Sequence, residues 1–194
     1  NSDGKLTLYD AIEWNKPTYP NKRINIPNKD ISSLKGIEYF TELKYLDCSL
    51  NPIKSLNLSN HTALKTLFCG KDLTDIDLSG CIALTYLRCS SNPNLSYINL
   101  NGCTALTELY CTYCNLTTIN LSDCTALKKL LCFNNQLTEL DLNNCASLQE
   151  LHCGNNQLTE LNLSNNIVLT NLQCNYNQLT TLNLLKNTAL TELS

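Results

Sequence analysis

The chain has no excess of basic residues: 14 Lys and Arg stand against 17 Asp and Glu, for a formal net charge of -3. With a pI near 5.3, no basic patch can form that is large enough to track a phosphate backbone, which argues against nucleic acid as a partner. It also has no run of 18 apolar residues, so no segment reads as a transmembrane helix. The first residues, from Asn1, carry neither a Met nor an apolar signal region. A secretion signal, if the protein carries one, is therefore expected to have been removed from this sequence.

What the chain does have is a repeat. LKKLLCFNNQLTELDLNNCAS begins at Leu127, and its near-copy LQELHCGNNQLTELNLSNNIV begins at Leu148, each 21 residues long. The same frame opens at Leu43, Leu64, Leu84, Leu106, Leu127, Leu148 and Leu169, at intervals of 21, 20, 22, 21, 21 and 21. The short interval loses a residue around Gly70 to Asp72, and the long one gains a residue at Asn92 to Asn94. Both changes fall in the same turn. Self-similarity at a fixed period overrides a domain count based on length, so the expectation is one elongated domain. A further frame opens at Leu190 shortly before Ser194. That position suggests either a piece of a longer protein or a final edge covered by something outside this sequence.

Each unit contains its motif twice. Leu127, Leu130, Cys132 and Asn135 occupy positions 1, 4, 6 and 9, and Leu137, Leu140, Leu142 and Cys145 repeat those offsets. Positions 4 and 6 alternate with polar residues at strand spacing, and ten residues per half leave no room for a helix with its turns. The prediction is two short parallel strands per coil, one on each side of an all-β-rich solenoid. No coil can bury its apolar face alone, so neighbours and a capping segment must complete the core.

Of the 12 cysteines, Cys48, Cys69, Cys89, Cys111, Cys132, Cys153 and Cys174 recur every 20 to 22 residues as the last apolar position of an L-x-x-L-x-C frame. A residue so placed acts as a small hydrophobe in a packed column. Side chains parallel on adjacent strands rarely adopt the disulfide dihedral, so free thiols are expected, as in a reducing or anaerobic setting. Position 9 reads Asn51, Asn135, Asn156 and Asn177, with Cys114 in the fourth repeat, and predicts an asparagine ladder that satisfies backbone groups in the turns. The matching place in the second half reads His61, Cys81, Cys103, Cys124, Cys145, Asn166 and Asn187. A linear column of this kind does not suit tetrahedral zinc, so no metal site is assigned.

In the first strand of each coil, positions 3, 5 and 7 point away from the core. They collect Tyr45, Phe68, Tyr86, Arg88, Tyr110, Leu131, Phe133 and His152 on one open face. Aromatic residues and Arg are the anchors of interfaces, which makes these residues the expected partner-binding set. The opposite strand supplies a control: its exposed position reads Asn57, Asp77, Asn99, Asn120, Asp141, Asn162 and Asn183. These predict a solvated face whose amides bond between rungs. No catalytic constellation is expected, because His152 and Cys153 are adjacent in a strand and must face opposite sides.

Residues 43-194 are thus assigned to the repeats and 21-42 to a degenerate first coil or cap, in which Ile24, Ile26, Ile31 and Leu34 already sit on the frame. The opening segment, 1-20, resembles the later part of an EF-hand or dockerin calcium loop. Asn1, Asp3, Gly4, Thr7 and Asp10 match loop positions 3, 5, 6, 9 and 12. Its first ligand is missing and it ends in Asp, so calcium is the lesser reading. The greater one is a turn into a short helix with Ala11, Ile12 and Trp14 inward, and no cofactor is assigned to the chain.

From about residue 31 onward, LTELYCTYCNLTTINLSDCTA and its neighbours resemble bacterial leucine-rich repeats of the 21-residue type, with L-x-x-L-x-C-x-x-N-x-L-x-x-L-D-L at the centre. The entry ISSLKGIEYFTELKYLDC is similar to the start of such arrays in surface proteins of anaerobes such as Bacteroides and Clostridium relatives. The resemblance implies a secreted or cell-surface bacterial module that binds a protein or glycan, as in adhesion or host recognition, and offers no catalytic residues. The alternative is a structural spacer or self-assembly module of a larger surface protein.

Overall fold

The computed structural model describes residues 22–194. The calcium-loop reading and the short helix fall at 1-20, outside the described residues. Among the described residues, twelve short strands and one turn of 3-10 helix (η1, Ile37–Tyr39) follow one another. Nine strands form a single parallel sheet, one from each coil: β1 (Arg23–Asn25), β2 (Tyr45–Asp47), β4 (Thr66–Phe68), β6 (Tyr86–Arg88), β8 (Glu108–Tyr110), β9 (Lys129–Leu131), β10 (Glu150–His152), β11 (Asn171–Gln173) and β12 (Glu192–Leu193). Pairing is in register throughout, so Leu46, Leu67, Leu87, Leu109, Leu130, Leu151 and Leu172 stack as one inward column. Every one of these leucines is fully buried. Strand β1 joins with Ile24 opposite Leu46, so the irregular first coil continues the sheet.

The second strand of each coil is present only at the start: β3 (Ser55–Asn57), β5 (Asp75–Asp77) and β7 (Tyr97–Asn99) form a separate three-stranded sheet. Side chains bind these rungs to one another. Ser55 Oγ donates to Asp75, Thr74 Oγ1 to the Lys54 carbonyl, and Asn99 Nδ2 to Asp77. From Thr118 onward the corresponding residues run without strand pairing. Their turns are held by Gln136, Gln157 and Gln178 N–H groups donating to the Leu116, Leu137 and Leu158 carbonyls of the preceding coil. Thr117, Thr118, Thr138 and Glu139 beyond them are exposed, so water can satisfy the remaining backbone groups and no ladder is required. With a full ladder on one side only, the two sides of the solenoid are unequal.

All 12 cysteines are free and buried. Burial pushes the thiols up, to about 12 at Cys48, Cys81, Cys124 and Cys132 and about 11 at Cys103, Cys114 and Cys145.

The asparagine ladder satisfies the turns as its residue type predicts. Asn135 Nδ2 donates to the Cys111 and Cys132 carbonyls, while its Oδ1 accepts from Leu116 N–H at 3.1 Å. Asn156 and Asn177 repeat the pattern one and two coils on. The ladder also includes Asn92, fully buried, whose Oδ1 accepts from Lys71 and Leu73 N–H. Cys114 has a physical reason. The N–H that an asparagine there would take is that of Leu95, and in the coil lengthened by one residue it already bonds to the Asn92 carbonyl at 2.9 Å.

Candidate protein-binding face

Strand geometry turns positions 3 and 5 of every rung outward, and parallel in-register pairing places like positions about 4.8 Å apart. The position-5 column runs Asp47, Phe68, Arg88, Tyr110, Leu131, His152 and Gln173. Position 3 runs Tyr45, Thr66, Tyr86, Glu108, Lys129, Glu150 and Asn171. Aromatic residues alternate between the two columns, so their rings meet diagonally. Tyr45 and Phe68 have centroids 5.9 Å apart, Phe68 and Tyr86 5.1 Å, and Tyr86 and Tyr110 5.3 Å, at interplanar angles of 47°, 36° and 35°. Four rings thus form one continuous row across four strands.

Each end of the row carries a cation. The Arg23 guanidinium sits 3.9 Å from the Tyr45 ring centroid, and Lys129 Nζ lies 5.7 Å from that of Tyr110. Tyr110 donates its hydroxyl to Glu108 Oε2 at 2.7 Å. Burial first, and then this bond to a carboxylate, raises the Tyr110 phenol above its ordinary range, so it stays a neutral donor. Tyr45, Phe68, Tyr86 and Tyr110 are all half-buried against one another. Side-chain freedom has been given up before any partner arrives, which lowers the ordering cost of binding.

Beyond Tyr110 the face becomes polar. Lys129 pairs with Glu150 at 2.7 Å, Glu150 Oε1 meets His152 Nε2 at 3.3 Å, and His152 Nε2 also lies 3.1 Å from Asn171 Oδ1. Asn171 in turn bonds to Glu192. Leu131 sits between the two regions, beside Tyr110 in the sheet.

Of the residues expected on this face, the structure joins Tyr45, Phe68, Tyr86 and Tyr110 in the row. Arg88 flanks Phe68 and Tyr110 in register, and His152 belongs to the polar network. Phe133 stands apart on the following turn, edge-on to Tyr113 at 5.5 Å and 79°. Sequence reasoning missed Arg23 and Tyr113. The signal for Arg23 is Ile24 on the repeat frame, which puts Arg23 at position 3. Tyr113 occupies position 8, where the backbone is left-handed in seven coils: φ is 51°, 58°, 60°, 54°, 56°, 52° and 55° at Asn28, Leu50, Ser91, Tyr113, Asn134, Asn155 and Tyr176. Asn tolerates that conformation, whereas Leu and Tyr are strained in it.

Cys153 is fully buried while the neighbouring His152 faces outward, which separates them as strand alternation requires. No group of three or more His, Cys, Asp and Glu side chains among the described residues is placed to hold a metal ion. His61 is buried with Nδ1 3.0 Å from the Leu58 carbonyl and Nε2 3.1 Å from that of Ile37, which seats it against η1. On the opposite face two residues of the exposed column bond to the neighbouring rung, Asn99 to Asp77 and Asn120 to Asn101, and beside the column Ser55 bonds to Asp75 and the Asn144 and Asn165 amides to the Ser122 and Asn143 carbonyls. The column residues also bond locally: Asn57, Asp77, Asn99, Asn120, Asp141, Asn162 and Asn183 each accept from the N–H two residues on. An Asx turn forms more readily than a bridge between rungs because its partner is two residues away along the chain.

The architecture is that of a leucine-rich-repeat solenoid: stacked coils of about 21 residues, a parallel strand per coil, leucines inward and an asparagine column in the turn. Among solved structures, the chain is similar to the functional domain of InlJ from Listeria monocytogenes, which is described as including a cysteine ladder. Identity is 33%, the TM-score is 0.61, and the match covers 89% of this chain and 43% of that one. It is also similar to internalin C2 from Listeria monocytogenes, at 20% identity and a TM-score of 0.69, over 97% of this chain and 84% of that one. YopM from Yersinia enterocolitica matches at 23% identity and a TM-score of 0.59, over 89% of this chain and 41% of that one. No family model and no curated protein matches the chain. The chain therefore spans less than half the length of the InlJ structure it resembles.

Proposed function

We propose that this chain is the recognition module of a bacterial extracellular or cell-surface protein, and that it binds a protein partner through the row Tyr45, Phe68, Tyr86 and Tyr110, with Arg88, Leu131, Phe133 and His152 beside it. The observation that carries this reading is the contrast between the two sides of one coil. One side places four rings in continuous contact, and the other offers short amides and carboxylates closed into local turns. The rings lean on one another at 35–47°, so each ring's faces are partly covered by its neighbours. A sugar stacks on an open ring face, and Arg23 covers one face of Tyr45. Partly covered rings suit a protein surface better than a glycan. The similarity to Listeria and Yersinia repeat proteins supports a bacterial setting, and twelve unpaired thiols suit a reducing or anaerobic one.

The test is a binding screen against matrix proteins and glycans, run in parallel with a folded Phe68→Ser, Tyr110→Ser, Leu131→Ser variant. A protein hit lost in the variant supports the reading. A glycan hit lost in the variant moves the partner class to carbohydrate, and a hit retained by the variant removes the face from the site. Reversible self-association in the ultracentrifuge that disappears in the same variant transfers the face to assembly of a spacer.

A further inference from the structure

The coil opening at Leu64 is one residue short, and the structure shows which residue is missing. In the first coil Asn28 has a left-handed φ of 51°, and the next residue, Lys29, donates its N–H to Asn51 Oδ1, as does Ile31. In the short coil Lys71 donates to Asn92 Oδ1 in the same way, as does Leu73. Lys71 also bridges to Asn51, itself at position 9. Lys71 therefore stands at position 9, with φ of 137°, and position 8, the left-handed residue, has been deleted.

Position 8 forms a ridge along the turns, with Leu50, Tyr113 and Tyr176 exposed on it at 58%, 57% and 76%. Its absence between Leu50 and Ser91 leaves a notch. The notch is a recess of about 430 Å³ lined by Ser49, Leu50, Phe68, Lys71, Arg88 and Ser91 together with Gly70 and Ser90. Gly70 keeps the floor low, because a Cβ there would lie 2.8 Å from the Ser90 carbonyl oxygen. Phe68, the second ring of the aromatic row, forms one wall, so the recess is continuous with the proposed binding face.

Its charge is one-sided. Arg88 and Lys71 are exposed, and neither side chain has a hydrogen-bond or ion-pair partner among the described residues. Lys129, Lys54 and Arg23, by contrast, are engaged, with Glu150, with Asp72 and on the Tyr45 ring. Asp47, in the same column as Arg88 with Phe68 between them, has its carboxylate held by Ser49 N–H and Oγ. On a chain of net charge -3, two unpaired cations beside an aromatic wall and the Ser91 hydroxyl form a site for a carboxylate.

We propose that this recess receives an acidic side chain, Asp or Glu, of the protein partner that lies along the aromatic row. The proposal rests on the reading of the row as a protein-binding face and adds to it the chemistry the partner must present at one point.

The test uses the whole chain, labelled with nitrogen-15, and two probe peptides: acetyl-Glu-Tyr-Glu-Tyr-Glu-amide and its counterpart with Gln at each Glu. The acidic peptide is expected to shift the amides of Gly70, Lys71, Ser90 and Ser91 and to bind at least about fivefold more tightly than the Gln peptide. Raising salt from about 50 to about 300 mM should narrow that difference. A Lys71→Gln, Arg88→Gln variant with an undisturbed spectrum should bind both peptides alike. Equal binding of the two peptides by the unaltered chain, or shifts confined to other coils, overturns the proposal. Equal shifts with glucuronate alone also overturn it, reassigning the site to a sugar acid. A Tyr110→Ser, Leu131→Ser variant separates the two readings. If the carboxylate preference persists there at undiminished affinity, the recess stands and the row is not part of the site.

Discussion

Replacing Asn135 by Ala tests whether the turns are held by side-chain hydrogen bonds, as the ladder geometry requires. Asn135 is 5% exposed and serves three backbone groups: the Cys111 and Cys132 carbonyls and the Leu116 N–H. The Cys132 carbonyl keeps a partner in Asn156 Nδ2 at 3.1 Å. The Cys111 carbonyl and the Leu116 N–H lose theirs inside the solenoid. Orphaning a buried polar group costs about 1–3 kcal/mol, so the variant should lose about 3 kcal/mol in all. For a chain of this length that corresponds to a fall in Tm of about 6–12 °C. The reference is Cys114→Ala in the same column. Its thiol makes only long contacts, 3.4 Å and 3.5 Å, with the Cys89 and Thr112 carbonyls, and its loss should cost about 1 kcal/mol. Cys114→Asn should gain nothing, since Leu95 N–H is already bonded within its own coil. Urea denaturation followed by circular dichroism measures all three variants. Equal losses for Asn135→Ala and Cys114→Ala, or a clear gain for Cys114→Asn, would refute the ladder account.

The thiols should resist labelling in the native protein near pH 8 and react completely once it is unfolded; rapid native labelling of several of them would contradict their burial. Their protonated form is favoured by folding, so stability should be fully present below the ordinary thiol value of 9.0 and fall as pH rises toward about 12 at Cys48 and Cys132. A denaturation midpoint that stays flat across that window would remove this contribution. Gly70→Ala should destabilise by about 1–3 kcal/mol, because its Cβ meets rigid backbone at Ser90 rather than a side chain that can move. Differential scanning calorimetry reads the change, and an unchanged Tm would show that the turn yields.

The repeat made most of the fold legible. A period of about 21 residues can be satisfied only by stacking coils, and the same period predicts which leucines and cysteines face inward and which residues share the outer face. Asn92 stands at the same offset from Leu84 as Asn135 from Leu127, so its place in the ladder was legible despite the extra residue that follows it. Relations set by one coil against another were harder to read. The missing second strands after β7 depend on clips such as Ser55 with Asp75, and the strand sequences YIN and TIN barely differ across that boundary. The alternation of rings between positions 3 and 5 could be tabulated from the sequence, but that Tyr45, Phe68, Tyr86 and Tyr110 close into a single row follows from the diagonal reach of rings across parallel strands. Arg23 escaped notice because it lies in the coil that least resembles the others.

The central claim is that one side of each coil recognises a partner and the other is solvated surface. Affinity of a captured protein partner, measured by calorimetry for the unaltered chain, for Tyr86→Ser with Tyr110→Ser, and for Asn120→Ser with Asn162→Ser, tests it most directly. Loss of about tenfold or more in the first variant, with no change in the second, is the predicted result. Equal affinity in all three, or loss only in the second, would place recognition elsewhere on the solenoid.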